Sequence, residues 1–151
     1  MRRVAFTVAA VVLVAGCGGS KHVDAPTNAL LTGVHVGPKS VTFDFKSAPR
    51  TVKASYQPRT HIVESGSGAP VRLEGNAYVV IHFVPAASAD VQGEQVIPTY
   101  TGPKRLSGPG PVLETAKTSD FEADLAWAIG VERRMRMHVA QDGTTVTVNF
   151  G

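Results

Sequence analysis

The feature that most constrains the fold is an alternation of apolar and polar residues with a period of two. In the run 41–45, three apolar residues alternate with Thr42 and Asp44, whereas 78–83 is apolar at both parities. Successive side chains of a strand point to opposite faces, so this period is typical of strands. We therefore predict a strand with one buried face at 41–45 and a strand buried on both faces at 78–83.

Turn-forming residues interrupt these runs at short intervals. They stand at Gly37-Pro38, 65–68, Pro98 and 107–111. Such intervals are too short for the helical crossovers that parallel strands need, so the strands should pair mostly antiparallel. Only the segment 86–91 offers room for a helical turn or two. The pattern predicts an all-β fold, an antiparallel sandwich or flattened barrel with at most one short helix.

Two further segments refine this expectation. Apolar residues alternate in 135–139 and in 146–150, and Asp142-Gly143 lies between the two runs, which is a strong hairpin signal. We expect positive φ at both Asp142 and Gly143. The segment 121–129 also alternates and is predicted as a strand, although its apolar residues also share a helical face, which leaves a helix as the alternative.

The N-terminus predicts export. Arg2 and Arg3 precede an uncharged run at 4–14, which is followed by Ala15-Gly16-Cys17. Positive charge, a short apolar stretch and a small-residue exit make a signal peptide, predicted over 1–16. The run is shorter than the roughly 20 residues of a spanning helix. The order Val-Ala-Gly-Cys resembles the bacterial lipobox, in which the cysteine thiol takes a diacylglyceryl group, so we expect lipidation at Cys17.

The composition fits an exported chain anchored by lipid. Cys17 is the only cysteine, so a lipidated chain has no disulfide. Without Arg2 and Arg3, the 15 Lys+Arg of the full chain become 13, against 12 Asp+Glu. A near-neutral chain without a basic cluster argues against nucleic acid as a partner. Residues 17–28 are predicted to be the lipidated cysteine and a flexible tether, and 29–151 a single domain.

Two groups of aromatic and basic residues are candidates for binding. Trp127, the only tryptophan, is followed by Arg133, and Tyr100 is followed by Lys104 and Arg105. Aromatic faces stack on sugar rings, and arginine forks bind carboxylates such as those of peptidoglycan stems. Trp127 shares its strand parity with other apolar residues, which favours a core position for it over a binding one.

Catalytic and metal-binding patterns are weak. The acidic residues Asp120, Glu122 and Asp124 would share one strand face at roughly 6 to 7 Å, a spacing that glycosidases use and that a solvated face also explains. The segment 65–68 is predicted as a loop tip and not as a nucleophile elbow. The histidines at 22, 35, 61, 82 and 138 lack metal-ligand spacing, and His35 and His82 are expected to be ordinary strand residues. We expect no enzyme, no metal and no cofactor.

Four segments together resemble one family. They are Ala-Leu-Leu-Thr-Gly-Val-His-Val-Gly from 29, Val-Thr-Phe-Asp-Phe from 41, Tyr-Thr-Gly-Pro-Lys-Arg from 100, and Asp-Phe-Glu-Ala-Asp-Leu-Ala-Trp-Ala-Ile-Gly-Val-Glu-Arg-Arg from 120. The resemblance is to the AMIN-like domain of actinobacterial lipoproteins and covers nearly all of 29–150. It departs from the family at the short turn 37–40 and in the Asn-Phe-Gly ending.

The resemblance implies a place and a type of module. AMIN domains are β-sandwich modules of envelope proteins that are thought to bind peptidoglycan or envelope partners. We therefore expect a lipid-anchored, palmitate-bearing lipoprotein on the extracytoplasmic face of the cell membrane, with a non-enzymatic module that binds peptidoglycan or another envelope component. The alternatives are an accessory subunit that docks a secreted or membrane protein and, third, an envelope hydrolase that uses the acidic trio.

Overall fold

The fold is given by a computed structural model, which describes residues 27–151. The predicted signal peptide, Cys17 and all but the last two residues of the predicted tether lie outside the described residues. The described part contains strands and one short 3-10 helix at Arg59–His61. The strands are β1 (Ala29–Val36), β2 (Ser40–Phe45), β3 (Thr51–Gln57), β4 (Ala77–Val84), β5 (Ala86–Ala87), β6 (Ala89–Gln92), β7 (Gln95–Pro98), β8 (Arg105–Ser107), β9 (Val112–Phe121), β10 (Asp124–Val131), β11 (Met137–Asp142) and β12 (Thr145–Phe150).

Two five-stranded sheets form the domain. The first has the order β11-β12-β2-β1-β5 and the second the order β3-β4-β10-β9-β8, while β6 and β7 pair only with each other. All pairings are antiparallel except the two-residue pairing of β1 with β5. Neither large sheet closes on itself within the described residues. The predicted antiparallel sandwich is confirmed, and the flattened barrel is not formed.

The main core lies between the two sheets. The inward residues of β2 and β12 are buried while their neighbours in sequence are not, so the one-sided strand predicted at 41–45 is confirmed. The inner face of β4 is fully buried, whereas its outer face is buried at Tyr78 and only half-buried at Val80 and His82, so the two-sided burial predicted for 78–83 is confirmed in part. Aromatic rings fill the centre: Phe43 packs at 4.9 Å from Phe83 and at 5.9 Å from Trp127, measured between ring centroids. Each such side chain contributes about 1.5–3 kcal/mol when fully buried.

A second, smaller core covers part of the outer face of β4. The long connection between β3 and β4 folds over the outer face of the second sheet. Ile62 and Leu73 from this connection pack against Tyr78, Ala116 and Ala128 of the sheet. The connection is turned at 65–67, so the loop tip predicted at 65–68 is confirmed. This second layer fixes the path of the chain on both sides of the 3-10 helix.

The sandwich has two ends that carry different elements. At the Thr27 end, β1 begins, β4 ends and β9 turns into β10; the amide of Ala29 donates to the Pro85 carbonyl at 2.9 Å. At the Gln57 end, β3 ends, β4 begins and β10 leads into β11. Here the amide of Val112 donates to the Pro38 carbonyl at 3.1 Å. These hydrogen bonds join the two sheets at both ends.

Two predicted elements are corrected. The segment 86–91 has no helical turn, because Ala86–Ala87 pairs with β1 and Ala89–Gln92 pairs with β7. The strand predicted over 121–129 is confirmed for 124–129 and its helical alternative is wrong, but Phe121 belongs to another strand, since β9 ends at Phe121 and β10 begins at Asp124. Glu122 and Ala123 between them have φ of 50° and 62°. Positive φ at both central residues is the pattern of a type I′ hairpin turn.

The predicted C-terminal hairpin is present, with a shifted turn. Asp142 pairs with Thr145, so the two central residues are Gly143 and Thr144. Among them only Gly143 has positive φ, at 56°, which is the pattern of a type II′ turn with glycine at its first position. The expectation of positive φ at Asp142 is therefore wrong. Asp142 instead ends β11 as a paired strand residue.

Candidate functional site

A cleft of about 620 Å³ opens at the Gln57 end of the sandwich. It lies where β3 leaves the sheet for the 3-10 helix and where β4 begins. The lining side chains that matter chemically are Tyr56, Arg59, Asn76, Tyr78 and Arg134. We call this site the tyrosine–arginine cleft.

Two tyrosines form the rigid part of the cleft. The Tyr56 hydroxyl donates to the Met135 carbonyl at 2.8 Å and accepts from the Met135 amide at 3.0 Å. Tyr78 is buried in the outer core, and its hydroxyl donates to the Gly75 carbonyl. Because both hydroxyls bind backbone atoms, the rings are held in place by the chain segments that surround the cleft.

Each tyrosine ring carries an arginine. The Arg134 guanidinium carbon lies 4.7 Å from the centroid of the Tyr56 ring, and that of Arg59 lies 5.4 Å from the centroid of Tyr78. Arg59 also donates from Nη2 to the Leu73 carbonyl at 3.1 Å. Stacking on a ring holds a planar guanidinium in one orientation and leaves N–H groups at its edge for an acceptor. The cleft thus presents two positively charged groups whose hydrogen-bond donors are held in a fixed orientation.

No carboxylate of residues 27–151 forms an ion pair with the arginines of the cleft. The ion pairs among residues 27–151 are His35–Asp44, His82–Asp124, Arg105–Glu114 and Lys117–Asp120. None of them includes Arg59 or Arg134. Arginine forks bind carboxylates and phosphates by paired, charge-assisted hydrogen bonds. An anionic group is therefore the ligand that this arrangement fits.

Asn76 ties the cleft to the connection between β10 and β11. Its side-chain Nδ2 donates to the Glu132 carbonyl at 3.0 Å, and its backbone amide donates to the Val131 carbonyl at 2.9 Å. This connection carries Arg133 and Arg134. Arg133 directly precedes the cleft residue Arg134 and is exposed, but its side chain does not line the cleft.

The structure places Trp127 in the core. Its side chain is 0% exposed, and the Tyr100 ring packs edge-on against it at 5.7 Å between centroids. The core position that the strand parity favoured is the one found, and Trp127 has no surface for a ligand. Within the described residues its Nε1 has no hydrogen-bond partner. Trp127 and Arg133 therefore do not form one site.

The group at 100–105 is also divided by the fold. Tyr100 is half-buried against the core, and burial raises the pKa of its phenol. Arg105 Nη1 is paired with Glu114 at 2.6 Å and donates to the Arg72 carbonyl at 2.8 Å. Lys104 is exposed on the same edge of the second sheet. The Tyr100 ring thus packs on the core and the Arg105 guanidinium binds other residues of the domain. The group therefore does not form a joint aromatic and basic surface.

The acidic trio does not lie on one strand face. Asp120 is at the end of β9, Glu122 is in the turn and Asp124 begins β10, because the predicted strand is a hairpin. Asp124 accepts from His82 Nδ1 at 2.9 Å. Asp120 accepts from the Ser88 amide at 3.1 Å and from Lys117 Nζ at 2.9 Å. Asp120 and Asp124 have separate structural partners, and the expectation that the three carboxylates share one strand face is wrong.

Asp120 holds the base of the β6–β7 ribbon. The Ser88 hydroxyl donates to Asp120 and accepts from Lys117 Nζ at 2.9 Å, while the Ser88 carbonyl accepts the amides of Thr99 and Tyr100. Burial alone would raise the pKa of the Asp120 carboxyl. The hydrogen bonds from Ser88 and Lys117 and the Lys117 charge outweigh burial and lower that pKa below its usual value. The cluster fastens the ribbon to β9.

Two of the strand histidines, His35 and His82, each have one carboxylate partner. His35 Nε2 lies 3.1 Å from Asp44 Oδ2, and His82 pairs with Asp124. In the described part of the chain, no group of three or more His, Cys, Asp or Glu side chains is placed to hold a metal ion. No helix of that part is long and apolar enough to span a bilayer.

Sequence reasoning missed the tyrosine–arginine cleft. Its residues come from three segments that are 16 to 75 positions apart, so no local spacing marks them. The pattern at 78–83 identifies Tyr78 only as a strand residue. The one available signal was Tyr56 before Pro58-Arg59, an aromatic and basic group at the end of a strand.

Fold and cleft together define a β-sandwich module with a basic, aromatic-lined opening at one end. The family model of the AMIN-like domain matches residues 25–150, and the chain belongs to this family. Membership associates the protein with the cell envelope and with non-enzymatic binding modules. Searches of curated proteins and of solved structures gave no significant match.

Proposed function

We propose that the protein is a lipid-anchored envelope lipoprotein whose tyrosine–arginine cleft binds a carboxylate-bearing polymer of the cell wall, peptidoglycan, without catalysis. The observation that supports this most is the pair of guanidinium groups stacked on Tyr56 and Tyr78 without an ion-pair partner among the described residues. Peptidoglycan stems carry carboxylates, and two oriented forks suit two such groups on one strand of polymer.

The stacking geometry also favours a polymer over a free anion. An exposed guanidinium binds a single small carboxylate weakly, because water competes for both partners and salt screens the charge. A polymer presents repeated carboxylates, so that each contact raises the effective concentration of the next. Sugar rings next to the stems can pack against Tyr56, which is only half-buried.

Cosedimentation with purified, insoluble peptidoglycan tests the binding. The domain, residues 25–151, should pellet with the polymer, and Arg59→Gln/Arg134→Gln should weaken binding by about tenfold or more, since each charge-assisted contact contributes about 1.5–3 kcal/mol. Lys46→Gln/Arg50→Gln is the matched control, because it removes the same charge at exposed positions of the Thr27 end. Equal binding by all three proteins would contradict the assignment of the cleft.

The same incubation tests the absence of catalysis. Ser88 is 6% exposed, and its hydroxyl is held between Asp120 and Lys117, which gives it a structural role. We therefore expect that peptidoglycan incubated with the domain releases no soluble fragments above a protein-free control. Release of fragments that Asp124→Asn abolishes would support the hydrolase alternative instead.

The lipid anchor is tested separately. Because Ala15-Gly16 precedes the single cysteine, Cys17→Ser should leave the chain without lipid. Cells fed radiolabelled palmitate should incorporate label into the parent chain and not into the variant. Equal incorporation in both would refute lipidation at Cys17.

A further inference from the structure

Exposed apolar side chains are concentrated at the Thr27 end. Six large apolar residues of the described part are exposed, and five of them belong to this end or to the ribbon that leaves it: Val84, Val91, Val96, Ile97 and Phe121. Val91, Val96 and Phe121 are 68%, 66% and 65% exposed. We call these five residues the apolar tip.

The β6–β7 ribbon has one entirely apolar face. Ala89 pairs with Pro98 and Val91 with Val96, and period two places these four residues on the same side. The ribbon pairs with no other strand of the described part. A two-stranded ribbon is marginally stable by itself in water, so its apolar face calls for a surface to pack on.

The apolar tip adjoins the point where the described chain begins. A groove of about 280 Å³ is lined by Thr27, Leu30, Val91 and Ala123. Ala123 lies in the β9–β10 turn that carries Phe121, and its carbonyl accepts the Ala86 amide at 2.9 Å. The tip and the attachment of the preceding segment therefore share one end of the domain.

The length of that segment limits how far the tip can be from an anchor. Nine residues lie between Cys17 and Thr27, and the tether that the sequence predicts there would span on the order of 17 Å. The sandwich is about 26 Å long, since β1 and β4 each have eight residues. An anchor at Cys17 thus keeps the Thr27 end next to the lipid and the Gln57 end away from it.

The charged residues at the Thr27 end indicate which side chains would make a contact with the membrane. Asp90, Glu94 and Glu122 lie among the apolar residues, and Lys46 and Arg50 follow β2 at the same end. This balance gives no net attraction to an anionic surface, so the contact has to be made by the apolar side chains. We propose that the apolar tip rests in the interfacial region of the bilayer that holds the lipidated Cys17. The proposal depends on the anchor of the proposed function.

Quenching by brominated lipids tests the contact independently of natural lipidation. Chain 17–151 contains both hydrophobic cores in full. Its Cys17 thiol is coupled to a maleimide lipid in phosphatidylcholine vesicles with or without bromine on the acyl chains. Trp127 is buried and serves as an internal reference. Val96→Trp places an indole at the tip, and Asn149→Trp is the matched control at an exposed position of the Gln57 end.

We expect bromine to remove most of the emission added by Val96→Trp and none of that added by Asn149→Trp. Adding Phe121→Ser to Val96→Trp should reduce the quenching, since Phe121 contributes apolar surface to the same contact. No quenching at position 96, or equal quenching at positions 96 and 149, would overturn the proposal. The palmitate experiment reports on the natural anchor, so failure of the anchor and failure of the tip contact give different results.

Discussion

The two ends of the sandwich are built on the same strands but expose different side chains. At the Gln57 end, the loops are held by hydrogen bonds from Tyr56 and Asn76, and the exposed groups are arginines. At the Thr27 end, the exposed groups include Val91 and Phe121. The same strands supply both ends, so the difference comes from the connections. A single β-sandwich thus carries an end that exposes arginines and an end that exposes apolar side chains, and a few loop residues determine each.

The largest expected effect comes from the core that both ends share. Trp127→Ala should lower the free energy of unfolding by about 3–5 kcal/mol, because it removes a fully buried ring that packs on Phe43 and Tyr100. Urea denaturation measures this. Val96→Ala is the control, since an exposed side chain should change stability by about 0.5 kcal/mol or less. An unchanged urea midpoint for Trp127→Ala would mean that the ring is not in the core.

The next effect is at the turn between β11 and β12, on the Thr27 end. Gly143→Val should destabilise the domain by about 1–3 kcal/mol, because a β-branched residue is strained at the positive φ of 56°. Gly143→Asn tests the cause, since asparagine tolerates positive φ and should cost less. Equal urea midpoints for the valine and asparagine variants would show that backbone conformation is not the reason.

A smaller effect is expected where Asp120 fastens the ribbon. Asp120→Asn should cost about 1 kcal/mol at neutral pH by weakening the bonds from Ser88 and Lys117. The folded pKa of Asp120 is below its unfolded value, so its contribution is present above the unfolded pKa of about 3.9 and is lost as the pH falls through the folded pKa. The difference in stability between parent and variant should therefore shrink below about pH 4.

Two measurements would distinguish this effect on the ribbon from an effect on the cleft. Peptidoglycan binding by Asp120→Asn should equal that of the parent, since Asp120 is at the opposite end of the sandwich. Hydrogen exchange should speed up in β6 and β7 and remain unchanged around Tyr56. A stability difference that grows on acidification would contradict the lowered pKa.

The smallest effect is expected at Arg133. Arg133→Ala should change stability by about 0.5 kcal/mol or less, because the side chain is exposed. It should weaken peptidoglycan binding only slightly, since Arg133 adds charge beside the cleft without lining it. Arg134→Ala is the comparison, measured by the same cosedimentation. A larger loss for Arg133→Ala than for Arg134→Ala would move the site to the outer side of the connection.

Local pattern was sufficient to predict five of the twelve strands of the described residues, namely β2, β4, β10, β11 and β12. The alternation at 41–45 and 146–150 has one buried face and one polar face, so period two alone identifies both the strand and its inward residues. The hairpin at Glu122-Ala123 was missed because neither residue is glycine, asparagine or aspartate, the usual residues at positive φ. Tertiary pairing of β9 with β10 imposes that turn.

The cleft could not be predicted in the same way. Tyr56, Tyr78 and Arg134 meet only because β3 pairs with β4 and the β10–β11 connection returns to the edge of the sheet. Trp127 had two possible roles at one strand parity, and parity correctly favoured the core. Arg105 could be recognised as a partner of Glu114 only after the register of β8 with β9 was known.

Photo-crosslinking in intact cells tests the two-ended arrangement most directly. Benzoylphenylalanine is placed in the cleft at Gln57 in one strain and in the apolar tip at Val96 in another. We predict that the variant labelled at Gln57 crosslinks to peptidoglycan and that the variant labelled at Val96 crosslinks to lipid. Crosslinking of the Gln57 position to lipid, or of both positions to the same material, would contradict it.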